Sequence, residues 1–101
     1  MASTEKSETK KVVSLNIEIG CKLSIQLQGL KERLSSFLIG MEPKSYLIIK
    51  TPLRESSEYL VSEGSDLIIR YVHFGEVYGF HATALLSITN PTTITFLSFP
   101  K

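Results

Sequence analysis

The chain has little of what marks an enzyme, a secreted domain or a membrane protein. It carries one cysteine, Cys21, so no internal disulfide can form, and the alternating run around it reads as core, where a free cysteine acts as a small hydrophobe. No apolar run approaches the ~20 residues that a membrane helix needs. Residues 1–11 hold no apolar leader segment, so a secretory signal is not expected there. The formal net charge is only +1, too weak a field to recruit nucleic acid or an anionic membrane. The triplet Asn90-Pro91-Thr92 has proline at its centre and is no glycosylation acceptor. The expected location is the cytoplasm.

Catalytic patterns are equally sparse. His73 and His81 are eight residues apart across a turn signal; they could face each other on two strands, but no zinc-ligand spacing accompanies them. There is no Gly-x-Ser-x-Gly elbow and no Cys–His signature. The carboxylate pairs Glu55/Glu58 and Glu63/Asp66 fall in an expected loop, where solvated charge is the ordinary role. Gly75 and Gly79 bracket a strand-turn region, unlike a phosphate-binding loop, which joins a strand to a helix. Tyr71, Phe74, Tyr78 and Phe80 cluster as nucleic-acid platforms can. No Lys/Arg stripe surrounds them, and alternation puts Tyr78 and Phe80 with Ala82, Ala84 and Leu86 on a core face. The expectation is no enzyme, no metal and no cofactor.

What the sequence does have is short amphipathic segments. Its 43% hydrophobic and 21% charged content is that of one ordinary globular domain, and 101 residues suffice for a modest core without staples. Residues 1–13 read as a flexible tail, because the Ser-, Thr-, Lys- and Glu-rich leader buries too little to offset its ordering entropy. The domain then covers residues 14–101. Cys21, Leu23, Ile25 and Leu27 alternate with Lys22, Ser24, Gln26 and Gln28, the pattern of a strand with one dry face. Residues 34–41 make a second strand, with Phe37, Ile39 and Met41 on one face and Leu34, Leu38 and Gly40 on the other. A turn at Pro43-Lys44-Ser45 leads to a third strand over 46–51, which Pro52 ends. Residues 53–65 allow either one or two helical turns or a loop that tucks Leu60 and Val61 under the sheet. Two β-rich runs, 66–73 and 76–88, flank Phe74-Gly75, a hairpin signal. A last strand spans 94–99.

Six short antiparallel strands hide their edges best by curling into a barrel. The fold class is therefore all-β, a six-stranded antiparallel split β-barrel with at most one short helix. Gly40 and Gly79 lie inside strands, where glycine often marks the bend or bulge that closure needs.

Several segments, in order, resemble one family. They are Arg33-x-Ser35 with Leu38-Ile39-Gly40-Met41, then Ser45-Tyr46-Leu47-Ile48-Ile49-Lys50-Thr51-Pro52, then Glu63-Gly64-x-x-Leu67 and Arg70-Tyr71-Val72. Val77-Tyr78-Gly79-Phe80 and the closing Pro91 and Phe96-Leu97-Ser98-Phe99-Pro100 follow. Over residues 20–100 this resembles the N-terminal domain of YcgR-type flagellar brake proteins, the PilZ-associated N-terminal domain. The resemblance implies a split barrel that precedes a cyclic di-GMP-binding PilZ domain. In the family that ligand is held chiefly by an Arg-x-x-x-Arg linker element and an Asp/Asn-x-Ser-x-x-Gly element. Neither occurs here, and Arg33, Arg54 and Arg70 do not form the four-residue pair.

A dianionic dinucleotide needs clustered guanidinium groups, so tight binding by this chain alone is not expected, and cyclic di-GMP would act only indirectly. The expected role is a non-catalytic interaction module in bacterial motility signalling. Its expected partners are a PilZ domain, in cis or in trans, or a flagellar motor protein; a homodimer is possible through edge-strand pairing. Candidate interface residues are Arg70, Arg33, Phe74 and Lys101. Arg70 should point outward between inward Ile69 and Tyr71, either bridging to a carboxylate such as Glu76 or pinning an interface. The alternative function, by fold-level analogy alone, is a flavin- or small-ligand-binding split barrel.

Overall fold

A computed structural model describes residues 10–11, 17–54, 57–58 and 61–100, with the backbone alone described at 10–11, 54 and 57–58. The tail expected over 1–13 therefore lies outside the described residues, apart from Lys10 and Lys11. Strands are β1 Lys10–Lys11, β2 Lys22–Leu27, β3 Leu34–Glu42, β4 Tyr46–Lys50, β5 Leu53–Arg54, β6 Ser57–Glu58, β7 Asp66–His73, β8 Glu76–Ile88 and β9 Ile94–Ser98. The six long ones pair antiparallel in the order β2-β7-β8-β9-β4-β3, and β3 pairs back onto β2. The sheet is thus a closed six-stranded barrel, and no helix occurs among the described residues. Closure pairs both edges of every long strand, which removes the exposed edge that an open six-stranded sheet would offer to other chains.

Period-two alternation does most of the work. Leu23 and Ile25 of β2, Leu47 and Ile49 of β4, and Leu67, Ile69 and Tyr71 of β7 are all buried, with polar or half-buried residues between them. Ile25, Leu38, Ile49, Leu67, Ile69 and Leu97 are fully excluded from solvent and fill the barrel axis. Each such side chain contributes about 1.5–3 kcal/mol through apolar burial.

Alternation fails at two places, and both failures are bulges. In β3 the register against β4 slips between Leu38 and Gly40. Leu34, Ser36 and Leu38 face inward, Phe37 and Ile39 outward, and beyond the slip Met41 packs on the core. Gly40 sits at that slip, as the glycine reading expects. In β8 the slip falls elsewhere: Phe96 pairs with Leu86 while Leu97 pairs with Ala84, so Leu85 is the extra residue. Gly79 itself is in regular register with Arg70.

The extra residue reverses the alternation. Leu86, expected with the core face, is 44% exposed, and Ser87 lies within hydrogen-bond reach of the buried Thr95 hydroxyl at 3.0 Å and donates to the Val61 carbonyl at 3.2 Å. A bulge inserts one residue and flips every later side chain to the other face.

In the ambiguous stretch the described residues 53–54 and 57–58 pair as two short strands. Leu53 pairs with Glu58 and Arg54 with Ser57, and Leu53 also pairs with Ser35 on the edge of β3. Val61 is buried under the sheet, as the loop alternative expects; Leu60 lies outside the described residues. Lys10 and Lys11 run parallel to Tyr78 and Gly79, so this part of the leader adds a short strand to β8.

Candidate docking face

The β7–β8 hairpin organises the site. His73 pairs with Glu76, leaving Phe74 and Gly75 as a two-residue turn. Both are left-handed, with φ of 49° and 77°, the pair of positive values that a type I′ turn demands. Gly75 meets that demand at no steric cost. Phe74 does not, because a bulky L-residue in this region is strained. It is also 92% exposed, so little burial compensates. Strain held at an exposed aromatic residue is the kind of local conflict that accompanies functional positions.

Behind the turn an aromatic ladder runs into the core. The His73 ring lies edge-on to Phe74 at 4.5 Å and to Tyr78 at 6.1 Å. Tyr78 stacks on Tyr71 at 5.6 Å, and Tyr71 meets Phe80 edge-on at 6.2 Å. These contacts fix the base of the hairpin. They also occupy Tyr71, Tyr78 and Phe80 with one another, which leaves Phe74 as the outward-facing aromatic of this group. His81 pairs with Ile68, far along the ladder from His73, so the two histidines do not face each other.

Beside the hairpin, the outer surface of β3, β2, β7 and β8 forms a groove. One rung of the sheet reads Ser35, Ser24, Arg70, Gly79 across the four strands. Arg70 is the one large side chain on that rung, and small neighbours on both sides leave room above them. A cleft of about 400 Å³ results, lined by Lys22, Ser24, Arg33, Arg70, Val72 and Val77 among others. It adjoins a second cleft of about 420 Å³ between the 17–21 segment and the hairpin, which Ile19, Val72 and Phe74 help to line. Cys21, Tyr71 and Val72 belong to both. Ile19, Val72 and Phe74 are exposed at 67%, 61% and 92%, a run of apolar side chains next to the cationic groove.

Arg70 is half-buried between inward Ile69 and Tyr71, the facing expected from alternation. Its hydrogen bond is not to Glu76: Nη1 donates to Gln26 Oε1 at 3.0 Å. Gln26 in turn donates from Nε2 to the Leu30 carbonyl at 2.7 Å, so its amide is held with the oxygen toward the guanidinium. Arg33, exposed just before β3, reaches the same groove. Three of the four candidate residues, Arg33, Arg70 and Phe74, therefore lie on one side of the barrel. Lys101 lies outside the described residues.

Sequence reading missed Lys22, Ser24, Val72 and Val77 as groove residues. Their outward facing was legible, but which strands lie side by side was not. Cys21, expected in the core, is half-buried at the junction of the clefts. Burial, and secondarily the nearby Glu18 carboxylate, push its thiol pKa up, which keeps it protonated and unreactive.

The arrangement defines a small closed barrel with a groove on its outer surface. No three His, Cys, Asp or Glu side chains among the described residues stand together as metal ligands, and no helix there is long and apolar enough to cross a membrane. Residues 18–100 match the PilZNR family, described as flagellar protein YcgR. The chain belongs to this family, whose members are generally non-catalytic regulatory modules linked to flagellar motility.

Among solved structures it is similar to the Bacillus subtilis inhibitor of motility MotI/DgrA, with 18% identity and a TM-score of 0.69. The match covers 84% of this chain but only 43% of that one. At such identity the likeness speaks for the fold. No curated protein sequence matches.

Proposed function

We propose that this chain is a non-catalytic docking module in flagellar motility control, acting in the cytoplasm by binding another protein. Its partner is a PilZ domain, in cis or in trans, or a component of the flagellar motor. Cyclic di-GMP reaches it only through that partner. Membership of the YcgR family supports the motility setting. The absence of an Arg-x-x-x-Arg pair from the sequence supports an indirect relation to the nucleotide.

The observation that carries the docking role is the convergence of Arg33, Arg70 and Phe74 on one side of the barrel. Arginine and aromatic residues are those most enriched where protein interfaces concentrate their binding energy. In the test, the chain is mixed with a PilZ domain or with cytoplasmic segments of the motor, and complex formation is followed by calorimetry. Complex formation that Phe74→Ala or Arg70→Ala weakens, in proteins that still fold, is the expected result. Direct binding of cyclic di-GMP to residues 1–101 at micromolar affinity or better would overturn the indirect role.

A further inference from the structure

Three features of the groove point to the chemistry of its occupant. The first is charge. The charged side chains that line it are Lys22, Arg33 and Arg70, and no carboxylate among the described residues does so. Against a net charge of +1 for the whole chain, this is a local concentration of positive charge.

The second is how Arg70 is held. Its hydrogen-bond partner among the described residues is the neutral Gln26 amide, itself fixed by the Leu30 carbonyl. A structural arginine on a sheet is commonly tied to a carboxylate that cancels its charge. Here the guanidinium is oriented by a neutral group, and among the described residues no carboxylate bonds it, which leaves donors for a second, planar acceptor. Ser24 beside it adds a hydroxyl on the same rung.

The third is the apolar border. Val72 and Val77 line the groove, and Val72 leads directly to Ile19 and Phe74. Small phosphate compounds gain nothing from such a border, whereas a protein segment that presents carboxylates beside apolar side chains uses both halves. Lipid headgroups would likewise engage lysines and arginines, but the net charge is too low to hold the barrel on an anionic surface.

We infer that the groove between Arg33 and Arg70 recognises an acidic segment of a partner protein. At least one of its carboxylates makes a forked contact with Arg70, and an adjacent apolar side chain packs toward Val72 and Phe74. This deepens the docking role proposed above, on which it rests, by naming the partner's chemistry.

The probe is a fluorescein-labelled peptide alternating Glu with Leu and Phe, with a Gln-for-Glu peptide as control. Anisotropy gives the affinity and amide chemical shifts give the location. The acidic peptide should bind, shift the amides of Ser24, Arg70 and Val77, and weaken as salt rises. Arg70→Gln and Arg33→Gln should each weaken it tenfold or more, and Lys44→Gln, in the turn between β3 and β4, should leave it unchanged.

Loss of binding in Lys44→Gln to the same extent would reduce the effect to overall charge and overturn the inference. So would equal binding of the Gln peptide, no binding at all, or groove shifts produced by inorganic phosphate or phosphatidylglycerol vesicles instead of the peptide. If a PilZ or motor fragment binds and Phe74→Ala abolishes it while both arginine variants do not, the docking role stands and the acidic-partner inference fails. If neither fragment binds but the peptide does at the groove, the acidic chemistry stands and the proposed partners fail.

Discussion

Arg70 Nη1 lies 3.0 Å from Gln26 Oε1 across the β2–β7 pair, on the outer face of the barrel. The amide places the guanidinium without neutralising it. Replacing Gln26 with Glu would pair the guanidinium with a carboxylate and cancel its charge, at the loss of the bond that Gln26 Nε2 donates to the Leu30 carbonyl. Gln26→Glu is therefore expected to weaken partner binding at least as much as Arg70→Gln does. Equal binding by Gln26→Glu and the unaltered chain would remove the uncompensated charge from the explanation.

Phe74 sets stability against function. Its left-handed backbone, φ 49°, suits asparagine or glycine, and its ring is almost wholly in water. Phe74→Asn should stabilise the fold by about 1 kcal/mol, within the usual cost of such strain, measurable by urea denaturation. The same change should weaken docking. A variant that is both more stable and equally able to bind would show the strain to be incidental.

Thr51 is fully buried, and its hydroxyl oxygen has no hydrogen-bond partner among the described residues. An unsatisfied hydroxyl in an apolar site costs roughly 1–3 kcal/mol. Thr51→Val keeps the shape and removes that cost, so a rise in stability toward the lower end of this range is expected. A loss of more than about 1 kcal/mol would mean that the hydroxyl is satisfied in solution, by water for example.

Ile69 packs at the centre of the barrel with no solvent exposure. Ile69→Ala should destabilise by about 2–5 kcal/mol, the transfer loss plus the cavity it leaves. Its neighbour Arg70→Ala should cost far less, because the group lost is half-exposed and its acceptor can turn to water. Comparable losses in the two variants would make Arg70 a structural residue and remove the reason to place it in an interface.

The Cys21 thiol is held above its ordinary pKa by burial first and by Glu18 second. A raised folded-state pKa means that the fold favours the protonated thiol. That contribution is fully present below the unfolded pKa and is lost as pH rises through the folded one. Modification by iodoacetamide near pH 8 should accordingly be slower than for a free cysteine and should reach the free rate on unfolding in urea. Faster modification in the folded chain would contradict the raised pKa.

Much of the architecture was legible from local pattern. Period-two alternation placed the strands over 66–73 and 76–88, the Phe74-Gly75 turn and the inward Ile69 and Tyr71 around an outward Arg70. Strand facing is a property of a few consecutive residues, so a sequence displays it directly. The bulges at Leu85 and beside Gly40 were harder. A bulge is a mismatch between two strands, and neither strand alone records it; Leu86 was thus placed inside when it faces out. The short 53–58 hairpin was hidden for a related reason, since its stability depends on the β3 edge beside Ser35.

The sequence by itself determined six amphipathic strands, their turns, and membership of a motility-linked family, because side-chain alternation and turn chemistry are local. Only the tertiary structure decided that Ser35, Ser24, Arg70 and Gly79 share a rung, and that Lys22 and Arg33 line the same groove. Ser24 and Arg70, far apart in the sequence, become neighbours only where β2 pairs with β7, and that pairing is set by the packing of the whole core.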